Sequence, residues 1–359
     1  MKKQNAVPNA LTFPPDAPKI VANREQPAFL SDGFRSNRKE YIQMKVLAAL
    51  PNYRQLCGEG LALLESQGVE VVANELGRPL TFEDLKDQVA DVDGVVAGVD
   101  VWDDRLLALA PKLKGIARFG VGVDNLDLEA CRQRGIQVCN CPGVNTNSVA
   151  EHALMLILGV TRYLGPCDRA ARKGQWPRLM HYELKGKTVG LLGFGAVGRR
   201  LTQLLAPFEV TVLAYDKFPN QAAADQLGVT LLPQEEVMAR ADILSLHTPA
   251  TPETHHLIRA ETIAMMKDGA FLVNTSRGAV TDEAAIAAAL ASGKLSGYGA
   301  DVFEHEPPTA DGPLFSQENY LCTPHLAAES YENWTQTGLL TAQELLDIFA
   351  GKEPPHRLV

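Results

Sequence analysis

Three ionisable residues in the C-terminal part of the chain, Arg277, Glu306 and His325, each follow a short apolar run that is typical of a β-strand. A guanidinium can hold a carboxylate through two hydrogen bonds and polarise a neighbouring carbonyl oxygen. A histidine can deliver the proton that a developing alkoxide requires, and a carboxylate beside it orients the imidazole and raises its pKa. Each residue alone is more often a solvated charge or a structural histidine. As a set they suit hydride transfer to a 2-keto acid.

A glycine-rich segment points to the source of the hydride. Gly193, Gly195 and Gly198 have the G-x-G-x-x-G spacing between a predicted strand at residues 189–192 and a predicted helix at residues 196–205. The first glycine permits a tight turn, the second lets the backbone approach a pyrophosphate, and the third lets the helix pack on the strand. The N-terminus of the helix then offers free N–H groups to the phosphates. This segment predicts a dinucleotide site.

Asp216 strengthens this prediction, because it follows a second predicted strand at residues 210–215. It lies about 20 residues beyond the glycines, where dinucleotide-binding folds carry an acidic side chain that accepts hydrogen bonds from the adenosine ribose hydroxyls. A carboxylate there would repel a 2′-phosphate, so the sequence favours NAD over NADP. The alternative interpretation is a tight turn followed by a solvated aspartate.

Composition restricts the class of protein. The 359 residues are enough for two domains, and 46% hydrophobic with 21% charged residues is typical of a soluble globular protein. A net charge of −9 argues against nucleic-acid binding. The six cysteines lack C-x-x-C spacing, which argues against a metal site or a disulfide scaffold and favours a cytoplasmic protein with reduced thiols. No apolar run is long enough to suggest a membrane span or a secretory signal.

Strand-like and helix-like segments alternate along most of the chain, which predicts parallel βαβ units. Strands are predicted at residues 44–50, 69–72, 94–97 and 115–119, and in a second series at 189–192, 210–215, 243–246, 271–274 and 297–302. We expect an α/β fold of two Rossmann-like, doubly wound parallel-sheet domains, with the cofactor domain inserted into the substrate domain. The expected parts are an extended or flexible N-terminal extension (1–43), a substrate-binding domain (45–145 plus 321–359) and an NAD-binding domain (146–320).

Two helices are predicted in more detail. A long helix is expected from Ser148 to about residue 163, with Ser148 as its N-cap and Glu151 completing a capping box. Glu151 and His152 are therefore assigned to the start of this helix rather than to the chemistry. The final helical segment, residues 327–350, is expected to break at Asn333 and Gly338.

Seven segments in order carry a resemblance to a known family. They are Arg118-Phe-Gly-Val-Gly-Val-Asp-Asn125, Asn140-Cys-Pro-Gly-Val-Asn-Thr-Asn-Ser-Val-Ala-Glu-His152, the glycine run at Gly193, Leu246-His-Thr-Pro249, Asn274-Thr-Ser-Arg-Gly278, Asp301-Val-Phe-Glu-His-Glu-Pro307 and Thr323-Pro-His325. With them the chain resembles the D-isomer-specific 2-hydroxyacid dehydrogenases, and within them the phosphoglycerate dehydrogenase group. The resemblance covers about residues 45–359.

The resemblance implies a role for each matching residue. His325 would be the acid/base with Glu306 as its partner, and Arg277 would bind the substrate carboxylate and keto oxygen. Asp301 would contact the nicotinamide carboxamide, and Asp216 the adenosine ribose. The backbone expected to help hold the substrate carboxylate is that of Gly120 and Gly122. The other expected cofactor contacts are Gly193, Gly195, Ala196, Val197, Gly198, Thr248, Thr275, Ser276 and Val121.

The implied activity is NAD-dependent interconversion of a D-2-hydroxy acid and its 2-keto acid by a homodimer. Candidate substrates are 3-phosphoglycerate with phosphohydroxypyruvate, or alternatively glyoxylate and hydroxypyruvate. The related formate dehydrogenases carry Gln in place of Glu306, which argues against that activity. Some transcriptional corepressors also resemble the family, so an NADH-sensing interaction protein is the alternative of another class.

Two differences from the family pattern are visible in the sequence. Residues 326–329, Leu-Ala-Ala-Glu, follow His325 where the family more often has Gly or Ala and then Ser and Thr. No counterpart of the C-terminal regulatory domain of some phosphoglycerate dehydrogenases follows the core, so serine feedback of that type is not expected.

Overall fold

The computed structural model describes residues 44–359, and their strands form two sheets. The strands are β1 (Lys45–Pro51), β2 (Glu70–Asn74), β3 (Gly94–Ala97), β4 (Gly115–Arg118), β5 (Gln137–Cys139), β6 (Thr188–Leu192), β7 (Thr211–Tyr215), β8 (Thr230–Leu231), β9 (Ile243–Leu246), β10 (Ala270–Asn274), β11 (Leu295–Ala300) and β12 (Tyr320–Cys322). The first sheet has the order β2-β1-β3-β4-β5, and the second has the order β12-β11-β10-β9-β6-β7-β8. All strand pairs within these sheets are parallel, which confirms the predicted α/β fold of two parallel-sheet units.

Helices connect the strands and cover the sheets. They are α1 (Tyr53–Leu56), α2 (Gly58–Ser66), α3 (Phe82–Leu85), α4 (Asp104–Leu107), α5 (Leu128–Gln133), α6 (Thr146–Thr161), α7 (Leu164–Arg172), α8 (Ala196–Leu205), α9 (Gln221–Leu227), α10 (Gln234–Arg240), α11 (Ala260–Met265), α12 (Glu283–Ser292) and α13 (Tyr331–Phe349). Short 3₁₀ helices lie at Ala206–Phe208, Gly278–Val280 and Pro313–Ser316. Among residues 44–359, no helix combines the length and apolar composition needed to cross a bilayer.

The central strands are buried along their whole length. Every residue of β3, β9 and β10 is buried. A parallel strand covered by helices on both faces must be apolar at nearly every position, which is why these strands stand out in the sequence as continuous apolar runs. The predicted bounds of β3 and β9 match the structure, and the other predicted strands differ by one or two residues at one or both ends.

The start of α6 differs from its prediction. The helix begins at Thr146 after Asn145, and no side chain caps it, so the expected capping box of Ser148 and Glu151 is wrong. A turn at Gly143, which has φ 81°, starts the helix early, since the Thr146 N–H donates to the Gly143 carbonyl. Ser148 instead pairs its hydroxyl with that of Ser330, at 2.8 Å.

The expected break in the last helix is also wrong, because α13 runs unbroken from Tyr331 to Phe349. Gly338 lies where α13 crosses α2: a Cβ on Gly60 of α2 would overlap the Gly338 carbonyl oxygen. The glycine therefore allows two helices to approach closely, and this packing offsets its low helix propensity, a cost of about 1 kcal/mol. Asn333 lies in the first turn, where its N–H is capped by the Ser330 hydroxyl at 3.2 Å.

The chain crosses between the two sheets twice. It leaves the first sheet after β5, passes through α6, and builds the second sheet as far as Cys322, two residues beyond the expected boundary at 320. It then returns, and α13 packs against α2 and against β3 and β4 of the first sheet. The expected N-terminal extension, residues 1–43, lies outside the described residues.

Candidate active site

The strand order of the second sheet reverses at β6. β6 pairs with β7 on one side and with β9 on the other, so the chain winds away from β6 in both directions. In open parallel sheets, ligands bind beyond the carboxyl ends of the strands at such a point. The glycine turn, Asp216 and Thr248 follow the three strands at this point.

The glycine turn has the geometry that a phosphate site needs. Gly193 has φ 101°, and a Cβ on it would lie 2.5 Å from the His247 carbonyl oxygen. A Cβ on Gly198 would lie 2.5 Å from the Gly193 carbonyl oxygen, so both positions require glycine. Gly195 faces open space, with nothing within 4 Å. It precedes Ala196 at the start of α8, where no side chain caps the helix, so the first N–H groups of α8 are free to meet an anion.

Asp216 is held beside this turn at the end of β7. Its Oδ2 accepts a hydrogen bond from the Phe194 N–H at 2.7 Å, and its Oδ1 accepts one from the Phe218 N–H at 2.8 Å. A carboxylate has about four acceptor sites, so two backbone bonds leave capacity for ribose hydroxyls. The position and the free acceptors fit the role expected for Asp216.

Two buried hydroxyls that follow β9 and β10 have no hydrogen-bond partner among residues 44–359, those of Thr248 and Thr275. Buried polar atoms are nearly always paired, so unpaired ones at this edge of the sheet indicate a bound group that completes them. Both residues are among the expected cofactor contacts, and they support the fit of a dinucleotide. Ser276 differs, because its hydroxyl donates to Asn274 Oδ1 at 2.8 Å. Val121 is 41% exposed in the loop after β4.

His325 and Glu306 form a hydrogen-bonded pair. His325 Nδ1 lies 2.7 Å from Glu306 Oε2, and Glu306 Oε1 accepts from the Phe303 N–H at 3.0 Å. The hydrogen bond to Glu306 raises the pKa of His325. Burial acts to raise the pKa of Glu306, yet the bonds from His325 and Phe303 lower it overall. With Nδ1 engaged and the imidazole half exposed, Nε2 is the nitrogen that can exchange a proton with a ligand.

Arg277 reaches the loop that follows β4 of the first sheet. A Cβ on Gly122 would overlap Arg277 Nη2, so the guanidinium lies directly against that backbone. Its Nε is 3.6 Å from Asp124 Oδ2, and its charge is close enough to influence the pKa of His325. Sequence reasoning missed Asp124, although this acidic residue stands inside the segment that carried the family resemblance. Gly120 has φ 138° in the same loop, so the structure brings Arg277 together with the expected substrate loop.

Asp301 lies directly beneath the segment that carries His325. It is fully buried, and its carboxylate accepts from the Leu326 N–H at 2.7 Å and the Ala327 N–H at 2.8 Å. The His325 N–H donates to the Asp301 carbonyl at 2.8 Å. Asp301 therefore anchors the segment that carries His325.

Arg118 also turns inward. Burial lowers the pKa of its guanidinium, its Nη1 donates to the Phe119 carbonyl, and its Nε is enclosed without a partner among the described residues.

Among residues 44–359, no group of three or more His, Cys, Asp or Glu side chains is arranged to hold a metal ion.

Comparison with known proteins agrees with this geometry. A family model described as "D-isomer specific 2-hydroxyacid dehydrogenase, NAD binding domain" matches residues 154–327. The D-3-phosphoglycerate dehydrogenase of Archaeoglobus fulgidus is 38% identical over 86% of this chain and 58% of its own length. The glyoxylate reductase of Pyrococcus furiosus is 36% identical over 84% of this chain and 92% of its own length.

A solved structure of the Escherichia coli D-lactate dehydrogenase matches with a TM-score of 0.79 and 30% identity, covering 88% of this chain and 100% of that one. The chain spans about half the length of the curated phosphoglycerate dehydrogenases that it matches, 58% in one case and 48% in another. The NAD binding domain of the family model includes the glycine turn, Asp216, Arg277, Glu306 and His325. The chain belongs to the D-isomer specific 2-hydroxyacid dehydrogenase family, and its cofactor is NAD.

Proposed function

We propose that the chain is an NAD-dependent oxidoreductase that interconverts a D-2-hydroxy acid and its 2-keto acid. The observation that carries the proposal is the His325–Glu306 pair, at 2.7 Å, with the charge of Arg277 close to both groups. These side chains follow the carboxyl ends of β10, β11 and β12, in the same sheet as the glycine turn. A proton donor, its carboxylate partner and an anion-binding group therefore converge beside a dinucleotide site.

The proposed mechanism assigns one task to each of these groups. Arg277 holds the substrate carboxylate and polarises the keto oxygen, since a guanidinium presents donors in a fixed fork. His325 gives its Nε2 proton to that oxygen as negative charge develops on it, and Glu306 stabilises the imidazolium form beforehand. When bound, NADH supplies the hydride. Gly195, Asp216 and the free N–H groups of α8 would hold the cofactor, together with the hydroxyls of Thr248 and Thr275.

Two substitutions test this mechanism. His325→Ala should reduce kcat by roughly 10²- to 10⁴-fold, the usual contribution of a positioned general acid. Arg277→Ala should reduce kcat/KM by roughly 10²-fold or more, because it removes bonds that strengthen as charge develops on the oxygen. NADH binding, followed by fluorescence, should persist in both variants. Turnover near the wild-type rate in either variant would contradict the assignment.

The proposed substrates are 2-keto acids with a short side chain, either phosphohydroxypyruvate or glyoxylate and hydroxypyruvate. Relatives named D-3-phosphoglycerate dehydrogenase and glyoxylate reductase support both options at similar identity. From the sequence, Arg118 at the end of β4 is either a partner for a substrate phosphate or a solvated charge. Its inward orientation gives the phosphorylated substrate no support from this residue. Steady-state rates with phosphohydroxypyruvate, hydroxypyruvate, glyoxylate and pyruvate separate the options. NADH binding without turnover of any of the four would favour a sensor of NADH instead.

We also propose a cytoplasmic homodimer with a substrate domain of residues 45–145 plus 321–359 and an NAD domain of residues 146–320. The dimer is supported by large apolar side chains between α7 and β6, since Trp176 is 82% and Met180 is 85% exposed. Covering exposed apolar side chains of this size with a second molecule removes them from water, which favours association. The cytoplasmic location is supported by the cysteines, all six of which are free thiols.

A further inference from the structure

Another hydrogen-bonded histidine, His152, lies next to the segment that carries His325. His152 of α6 is buried except for 14% of its side chain, and its Nε2 lies 2.8 Å from Thr323 Oγ1. Thr323 Oγ1 in turn lies 2.6 Å from Asp301 Oδ1, and His152 Nε2 is 3.4 Å from the same carboxylate oxygen. The proposed mechanism gives His152 and Thr323 no task, and sequence reasoning assigned His152 to the start of a helix.

The hydrogen positions in this chain of contacts follow from the donors available. The Asp301 carboxylate accepts from two backbone N–H groups, those of Leu326 and Ala327. The Thr323 hydroxyl has one hydrogen and must donate it to Asp301. It therefore accepts from His152, so Nε2 of His152 carries the proton. Burial lowers the pKa of His152, which leaves its imidazole neutral with a single donor in a defined position.

These hydrogen bonds hold the segment of residues 323–327, which carries His325. Thr323, Leu326 and Ala327 all donate to the Asp301 carboxylate, and His325 stands between them. His325 has φ 56°, a left-handed conformation that is uncommon for residues other than glycine. Its hydrogen bond to Glu306 depends on that backbone, so freeing one anchor of the segment should loosen the pair.

We propose that His152 is a positioning residue: its Nε2–H fixes the Thr323 hydroxyl onto Asp301, and this holds His325 in contact with Glu306. The kinetic part of the test rests on the proposed function, whereas the titration of His325 does not. The charged groups around His325 are Glu306, Asp301, Arg277 and Glu329. All of them remain in the variants used below.

The kinetic test compares His152→Ala, His152→Gln and Thr323→Val. We expect His152→Ala and Thr323→Val each to lower kcat by roughly 10- to 100-fold, the range for a misplaced catalytic group. KM for NADH should stay within about twofold, since neither residue is placed in the cofactor site. His152→Gln should recover most of the activity because its amide keeps an N–H donor. The double variant should be no worse than either single one, since both remove the same connection.

The second test needs no turnover. In the unliganded full chain, the pH titration of the His325 ring is followed by NMR and assigned with His325→Ala. Loss of contact with Glu306 should lower the pKa of His325 in both His152→Ala and Thr323→Val. His356→Ala is the matched control, because His356 Nδ1 lies 2.7 Å from the buried Glu344 carboxylate of α13. This control should lose stability and leave the titration of His325 unchanged.

An unchanged His325 titration in both variants, with kcat within about twofold of wild type, overturns the proposal. If His152→Ala does not fold, Thr323→Val decides, because valine keeps the side-chain volume and removes only the hydroxyl. If the wild-type chain turns over no 2-keto acid, the proposed function fails, and the titration still decides the role of His152.

Discussion

The imidazole–carboxylate contact of His325 and Glu306 sets the pH range of the proposed reaction. Reduction of a keto acid needs the protonated imidazole, and Glu306 raises the pKa of His325. The rate of reduction should therefore fall as pH rises through this raised pKa, and the rate of hydroxy-acid oxidation should rise over the same range. In Glu306→Gln both limbs should move to lower pH, which kcat measured against pH in each direction will show. Limbs that stay in place would mean that another group sets the pKa.

A second prediction at the residue scale concerns the proposed role of Asp216 in the choice between NAD and NADP. Asp216→Ala should weaken the binding of NAD more than the binding of NADP. The substitution removes acceptors for the ribose hydroxyls, and it also removes a charge that repels a 2′-phosphate. The ratio of kcat/KM for NADH over NADPH should fall roughly tenfold or more, the factor for one charge-assisted hydrogen bond. Asp225→Ala is a control on the same domain surface, at a carboxylate that pairs with Gln221. An unchanged ratio in Asp216→Ala would remove Asp216 from the ribose site.

At the scale of elements, the close contact between α2 and α13 depends on glycine at position 338, which has no side chain. A Cβ on Gly338 would lie 2.6 Å from Cys57 Cβ and 2.8 Å from Cys57 Sγ. Gly338→Ala should therefore destabilise the protein by about 1–3 kcal/mol, although alanine favours helix. Gly58→Ala, at the start of α2 with nothing within 4 Å, should be neutral or stabilising by up to about 1 kcal/mol. Urea unfolding of both variants measures the difference, and equal stabilities would contradict the packing argument.

The elements also show where sequence reasoning succeeds. Strands β3 and β9 were predictable because burial on both faces demands apolar residues at every position. The glycine turn and Asp216 were predictable because a phosphate site fixes both residue type and spacing. The cap of α6 was not, since Asn145, Thr146 and Ser148 are all capable N-caps and the turn at Gly143 decides among them.

In the candidate site, too, the sequence predicts some features and misses others. Arg277, Glu306 and His325 were predictable because they follow strands that end at one edge of a sheet. The burial of Asp301 and the contact of His152 with Thr323 were not predictable from the sequence. Both result from packing between residues that are far apart in the chain. Tertiary contacts of polar residues leave no periodic pattern in a sequence.

At the scale of the whole molecule, the proposed homodimer can be tested through its exposed apolar segment. Trp176→Ser combined with Met180→Ser should convert a dimer to a monomer in sedimentation velocity, because burial of these side chains would contribute about 25 cal/mol per Å². Leu76→Ser, at a residue 54% exposed in the first-sheet part of the chain, is the control and should leave the assembly unchanged. A monomeric wild-type chain, or a dimer that survives both substitutions, would contradict the proposed interface.

The two chain crossings between the sheets bear on how the molecule could move. One crossing leads into α6 and the other runs from Thr323 to Ser330, and the hydroxyls of Ser148 and Ser330 join them at 2.8 Å. If one sheet rotates relative to the other, the rotation must take place about these two connecting segments. His325 stands on the second of them. In any such rotation His325 would lie near the axis, where displacements are smallest, so the proposed proton donor would keep its place while the two sheets moved.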